Sequence, residues 1–148
     1  MTDLDQTALQ MRHEEAVIRA FFLPDKQERF LAFISNPKNR KKLTLELAHF
    51  RWFDMRFATV LAWKVDPKLK LAQRHTQGIE NIARLLKSKR APETCWAISE
   101  DRDLDGKELK LQAALEDTIG RGMGTILSCI PGRLAIFMGE SESLLLAK

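Results

Sequence analysis

Apolar side chains recur on a three-and-four spacing through much of the first ninety residues. Leu4, Ala8, Met11, Ile18 and Phe22, with Val17 and Phe21 alongside and Glu15 interrupting, predict a first helix ended by Pro24. Phe30, Leu31, Phe33 and Ile34 predict a short second helix over about residues 25–35, with Asp25 and Glu28 near its positive end. Asn36-Pro37 is a restart signal, because Asn accepts a backbone N–H as N-cap and Pro at the first helical position loses no hydrogen bond. The third helix is expected to reach about Phe50. Residues 50–75 are too dense in aromatic and apolar side chains for periodicity to separate a buried helix from an extended segment. Ile79, Ile82, Ala83 and Leu86 then restore a helical face that closes at Lys87, Lys89 and Arg90, cations suited to a helix C-terminus, with Pro92 beyond.

After Pro92 the pattern shortens. Thr94–Ser99 and Thr125–Ile130 are compact runs that suit strands. Asp105-Gly-Lys-Glu108 has the spacing of a capping box and predicts a helix through Ile119, stopped by Gly120. Pro131-Gly132 has the chemistry of a type II turn leading into strand 133–138, and Gly139–Glu142 leads into strand 143–147. The order predicts an α+β fold: a helical N-terminal region of about four helices packed on a C-terminal mixed sheet of about four strands with one crossover helix. Parallel pairing of the first two strands would require that crossover. No long linker or repeat divides the chain, so residues 1–148 are read as one domain.

Composition agrees with a globular chain: 148 residues, 45% apolar and 30% charged. No apolar run approaches the ~20 residues of a membrane span, and the first residues lack an export pattern, so a cytoplasmic protein without membrane contact is expected. Cys95 and Cys129 read as small buried hydrophobes. Charge is unevenly distributed. Residues 1–24 carry 2 basic and 4 acidic side chains, residues 25–90 carry 16 and 6, and residues 91–148 carry 6 and 10. A field of one sign attracts ligands of the other.

The densest positive run, Asn36-Pro-Lys-Asn-Arg-Lys-Lys42, sets Lys38, Arg40, Lys41 and Lys42 in the first turns of a helix. Its free N–H groups already present about half a positive charge, so such an end favours an anion, phosphate above all. Arg51, Trp52, Phe53, Arg56, Phe57, Trp63 and Lys64 interleave cations with rings; most of the rings are expected in the core, with Trp52 and Trp63 the candidates for exposure. The resulting expectation is a small non-enzymatic binding protein whose partner is acidic, most concretely the backbone of DNA or RNA. Lys38, Arg40, Lys41 and Lys42 would be the main contacts, with Arg51, Trp52 and Arg56 as auxiliaries. The alternative is a protein-interaction module, a regulator or inhibitor that covers an acidic surface on another protein.

Candidate catalytic features are weaker. Asp101-Arg-Asp103-Leu-Asp105-Gly106 copies the opening of a calcium loop, but Gln112 stands at the twelfth position in place of a bidentate Glu. A divalent-metal phosphate-transfer enzyme at this loop is the second alternative; no metal ligand set and no cofactor are expected. Gly120-Arg-Gly122-Met-Gly124 follows a helix rather than opening one, the wrong order for gripping phosphate. Cys129 is a nucleophile only if a base meets it, and His13, His49 and His75 stand in no catalytic signature. Nor do the cysteines and histidines have zinc spacing.

Overall fold

The computed structural model describes residues 3–47, 50–61, 66–119, 121–139 and 142–148, with the side chains of 3–7 and 50 left out. His49, Trp63, Lys64 and Gly120, each named above from the sequence, lie outside the described residues. The chain is α+β, with helices on both faces of a six-stranded sheet. Helices α1 (Asp3–Phe21), α2 (Gln27–Ile34) and α3 (Pro37–Glu46) come first. Strand β1 (Ala58–Val60), helix α4 (Leu71–Ser88), strands β2 (Thr94–Ser99) and β3 (Lys107–Lys110), helix α5 (Leu111–Thr118) and strands β4 (Thr125–Ile130), β5 (Leu134–Met138) and β6 (Ser143–Ala147) follow.

The expected helix starts and strand runs recur with specific differences. Asn36 caps α3 as its sequence demands, its side chain accepting the Lys38 N–H at 3.0 Å, but the helix closes at Glu46 rather than near Phe50. Helix α4 begins at Leu71, two turns before the periodic face at Ile79. The sheet is wholly antiparallel, not mixed, in the order β1-β6-β5-β4-β2-β3. One strand falls in the segment the sequence left open, and another where it predicted a helix. β1 comes from the ambiguous aromatic segment, and β3 occupies Lys107–Lys110, where the helix was expected to be under way. The Asp105–Glu108 capping box is therefore absent: Glu108 is a strand residue opposite Trp96. Helix α5 still crosses over, linking β3 to β4 on either side of β2.

Alternation along the central strands builds two cores, one per face. Trp96, Ile98, Ile126, Ala135, Phe137, Leu144 and Leu146 pack against α1, α2 and α3. Cys95, Ala97, Leu127, Cys129, Ile136 and Leu145 pack against α4 and α5. A sheet covered on both sides buries successive residues, which is why these strands read as continuous apolar runs. The β4–β5 turn closes on Gly132, whose φ of 71° suits the glycine expected there, and a Cβ in its place would meet Ala16 of α1 at 3.6 Å.

Candidate nucleic-acid interface

The cationic tip of α3 is divided by the helix period. Lys38, Lys41 and Lys42 share the solvent face with Leu45, which is 72% exposed. Arg40 stands three, four and seven residues before Leu43, Thr44 and Leu47, all buried, and so turns inward. There its Nε and Nη2 donate to the two oxygens of Glu14 at 2.9 and 2.6 Å, and Nη1 and Nη2 donate to Asp105. Burial opposes the Arg40 charge, but hydrogen bonds and Coulombic attraction from Glu14 and Asp105 outweigh it and raise its pKa above the ordinary value. Arg40 is thereby withdrawn from the anion-binding set expected of it: its charge is spent inside the protein.

Glu14 organises this network. It is fully buried and also accepts the Trp96 indole N–H at 2.9 Å. On α1 it lies three, four and seven residues before Val17, Ile18 and Phe21, the same relation that places Arg40. The apolar face expected through Met11 and interrupted at Glu15 is shifted accordingly, with Met11 exposed. Asp105 completes the triad, and its Oδ1 also accepts the Ser99 backbone N–H at 3.0 Å. These commitments remove Asp105 from any calcium-like loop. Asp101 instead accepts the Asp103 N–H at 2.9 Å, and no cluster of three metal-ligating side chains occurs among the described residues.

A second group of cations rests on rings. The Arg51 guanidinium lies 4.6 Å from the Trp52 ring centre, Arg29 5.4 Å and the Lys26 ammonium 5.9 Å. Arg29 also lies 5.4 Å from Phe33, and Lys42 of α3 reaches the same ring at 5.9 Å. Arg29 pairs with Glu46 at 3.2 Å across the α2–α3 hairpin. Trp52 is only 9% exposed, contrary to the expectation from sequence, because it packs edge-on to Phe30 beneath these side chains. Its Nε1 is buried with no acceptor among the described residues. The ring is a platform that holds cations, each such contact contributing roughly 0.5–1 kcal/mol at an exposed site, and not a surface for stacking bases. Arg56 stands apart, tied to buried Asp54 at 2.7 Å; that hydrogen bond holds the Asp54 carboxyl below its ordinary pKa. Lys26 and Arg29 were missed in the sequence, although their four-residue spacing from Phe30 and Phe33 was available to find them.

His13, one residue before Glu14, touches the sheet. Its Nδ1 lies 2.7 Å from the Ser128 hydroxyl, and its ring stacks on Trp96 at 9° between planes. Ser128 is fully buried, so this pair offers no nucleophile to a substrate. Loss of hydration, then Arg12, lowers the His13 pKa from 6.5 to about 4. The unfolded chain takes up this proton near 6.5 and the folded chain resists until about 4, so stability is expected to fall as pH drops through that window. After discounting for solvent screening of a half-buried ring, the loss is about 1–2 kcal/mol. Denaturation midpoints from pH 7 to 4 check it, and His13→Gln should flatten the curve; an unchanged slope in that variant would place the proton uptake elsewhere. Cys129 faces the opposite side of the sheet, and burial raises its thiol pKa to about 12. Both cysteines are free and buried.

Of the six ion pairs among the described residues, only Arg40–Asp105 joins residues 25–90 to residues 91–148. Ser99, Thr125, Met138 and Ser143 end the central strands on one side, where the loop carrying Glu100, Asp101 and Asp103 projects. No described helix is long and apolar enough to cross a membrane. No family model, curated protein or solved structure matches this chain.

Proposed function

We propose that the chain is a non-enzymatic binding protein that engages the sugar-phosphate backbone of DNA or RNA through the outer face of α2 and α3. The observation that carries this reading is the set of cations on that hairpin and on the short segments that flank it. Lys38, Lys41 and Lys42 are exposed on α3, and Lys42, Arg29, Lys26 and Arg51 are spread over Phe33 and Trp52. Phosphate contacts of this kind supply affinity without reading sequence. With Arg40 withdrawn and Trp52 covered, the interface is smaller and more purely electrostatic than the sequence suggested.

The test is salt dependence. Replacing Lys38, Lys41 and Lys42 together by Gln is expected to weaken binding of unrelated duplex oligonucleotides alike and to flatten log K against log salt by about 0.9 for each phosphate no longer neutralised. Arg51→Gln should add to that loss. Equal slopes for the triple variant and the parent would remove this face from the reading. Leu45, an exposed leucine one turn beyond Lys41 and Lys42 on the same face, supports a second reading, in which this face covers an acidic patch on a protein. A stoichiometric complex that survives nuclease and is lost in Leu45→Asp would favour it.

A further inference from the structure

Cys95 and Cys129, the two cysteines of the chain, stand opposite each other at one end of the β2–β4 ladder. The pairs Trp96–Ser128, Ala97–Leu127, Ile98–Ile126 and Ser99–Thr125 fix the register. Carried one step past Trp96–Ser128, it sets Cys95 of β2 across from Cys129 of β4. Both side chains point to the same face, since both pack in the core beneath α4 and α5.

The direction of the backbone hydrogen bonds decides how close the two thiols come. In an antiparallel pair, opposite residues alternate between hydrogen-bonded and non-hydrogen-bonded positions, and the latter bring Cα atoms to about 4.5 Å with side chains nearer together. Alternate residues of β2 turn their polar groups to β3: the Ala97 carbonyl accepts the Gly106 N–H at 2.9 Å, and the Glu93 carbonyl accepts the Leu111 N–H at 2.7 Å. Cys95, midway between them and opposite Leu109, has the same phase. The other phase serves β4, where Glu100 donates its N–H to the Gly124 carbonyl at 3.0 Å. Cys95 and Cys129 therefore occupy a non-hydrogen-bonded position, the closer of the two kinds. Ser99 and Thr125 hold a position of this kind on the same face, and their hydroxyl oxygens lie 2.7 Å apart. A cysteine sulfur stands as far from the backbone as those hydroxyls do, and a Cα separation of about 4.5 Å falls within the roughly 4.4–6.8 Å that a disulfide spans. Each thiol also senses the other: burial, then the charge of Cys129, raises the Cys95 pKa.

We infer that Cys95 and Cys129 are an oxidisable pair that closes to a disulfide between β2 and β4 when a peroxide reaches it. One thiolate attacks a peroxide oxygen, the O–O bond breaks, and a sulfenic acid forms as water departs. The second thiol attacks that sulfur, so that the S–S bond forms while the S–O bond breaks and a second water leaves. Two thiols are oxidised and one peroxide is reduced to two waters. Cys129 attacks first, because its pKa, about 12, is raised by burial alone, whereas that of Cys95 is raised by its neighbour as well. Both thiols are buried, but they lie one step beyond the last paired residues of the ladder, where strands open first. Thr94, exposed beside Cys95, and Leu111, which packs in the same core, line a cleft of about 330 Å³ through which a small neutral oxidant approaches. β3 and α5 lie between the two cysteines, so the bond closes a loop through both elements and restricts the unfolded chain.

Hydrogen peroxide added to the reduced full chain forms the test, read by intact mass, by maleimide labelling under denaturant and by the thermal midpoint. The expected product is lighter by two hydrogens, has lost both reactive thiols, yields one peptide joining Cys95 to Cys129, and melts several degrees higher. Dithiothreitol should reverse all four changes. Cys95→Ser and Cys129→Ser should each lose the link and the rise in midpoint. Dimedone should trap a sulfenic acid faster on Cys129 of the first variant than on Cys95 of the second, the order their acidities set. The mass and peptide map of the parent decide the inference whether or not a variant folds. Oxygen added to either sulfur without loss of the two hydrogens, a link between separate chains, or thiols still reduced after incubation just below the midpoint, where strand ends open, would overturn it.

Discussion

Arg40→Ala is expected to lower folding stability by about 3–5 kcal/mol, far more than removal of any exposed lysine on the same helix. The reason is what remains behind. Glu14, fully buried, would keep only the Trp96 N–H and a long 3.4 Å hydrogen bond from the Gln10 amide, and Asp105 would lose two donors. An uncompensated charge in that position costs more than the pair contributes, because the desolvation of both ions was already offset by their attraction. A combined variant tests this account. Glu14→Gln, Arg40→Met and Asp105→Asn together remove all three charges while leaving an amide oxygen for Trp96 Nε1 and another for the Ser99 N–H. Most of the lost stability should return in the triple variant. Urea denaturation of the parent, single and triple variants decides it. A single variant within 1 kcal/mol of the parent would mean that water reaches Glu14.

Phe30→Ala is expected to cost a similar 3–5 kcal/mol and to alter the proposed interface as well. Phe30 is fully buried and meets Phe22, Phe33 and Trp52 at ring separations of 4.8, 5.6 and 5.5 Å, all edge-on. Its removal empties the centre of the aromatic group that fastens α2 to the sheet through Phe53 and Phe137. Trp52 would be left without its edge-on neighbour, and the cations resting on it without a fixed support. Red-shifted tryptophan emission and weaker oligonucleotide binding should accompany the lower midpoint. Phe33→Ala, at a half-buried ring, should cost much less; equal costs for the two would show that the helical layer repacks around either gap.

The charge pattern shows how far the chain could be read before folding. The segregation of 16 cations into residues 25–90 is visible in the sequence, and so is the capped start of α3. Which of four adjacent cations faces inward is also encoded, through the spacing of Arg40 from Leu43 and Leu47. Its meaning depends on Glu14, 26 positions earlier, and Asp105, 65 positions later. An arginine on an apolar stripe is not identifiable as an ion-pair member until its acids are located.

What this chain settles by itself is short-range. Asn36-Pro37 starts a helix and Pro131-Gly132 turns the strand, because capping hydrogen bonds and preset φ values act within a few residues. Four runs rich in apolar residues become strands for the same local reason, and their continuity anticipates burial on both faces. Tertiary structure alone decides that the sheet is antiparallel throughout, that Lys107–Lys110 pairs with β2 instead of joining the next helix, and that one cation of α3 is consumed internally. Those outcomes rest on contacts between distant segments, where ladder hydrogen bonds and the cost of burying a charge outweigh local preference.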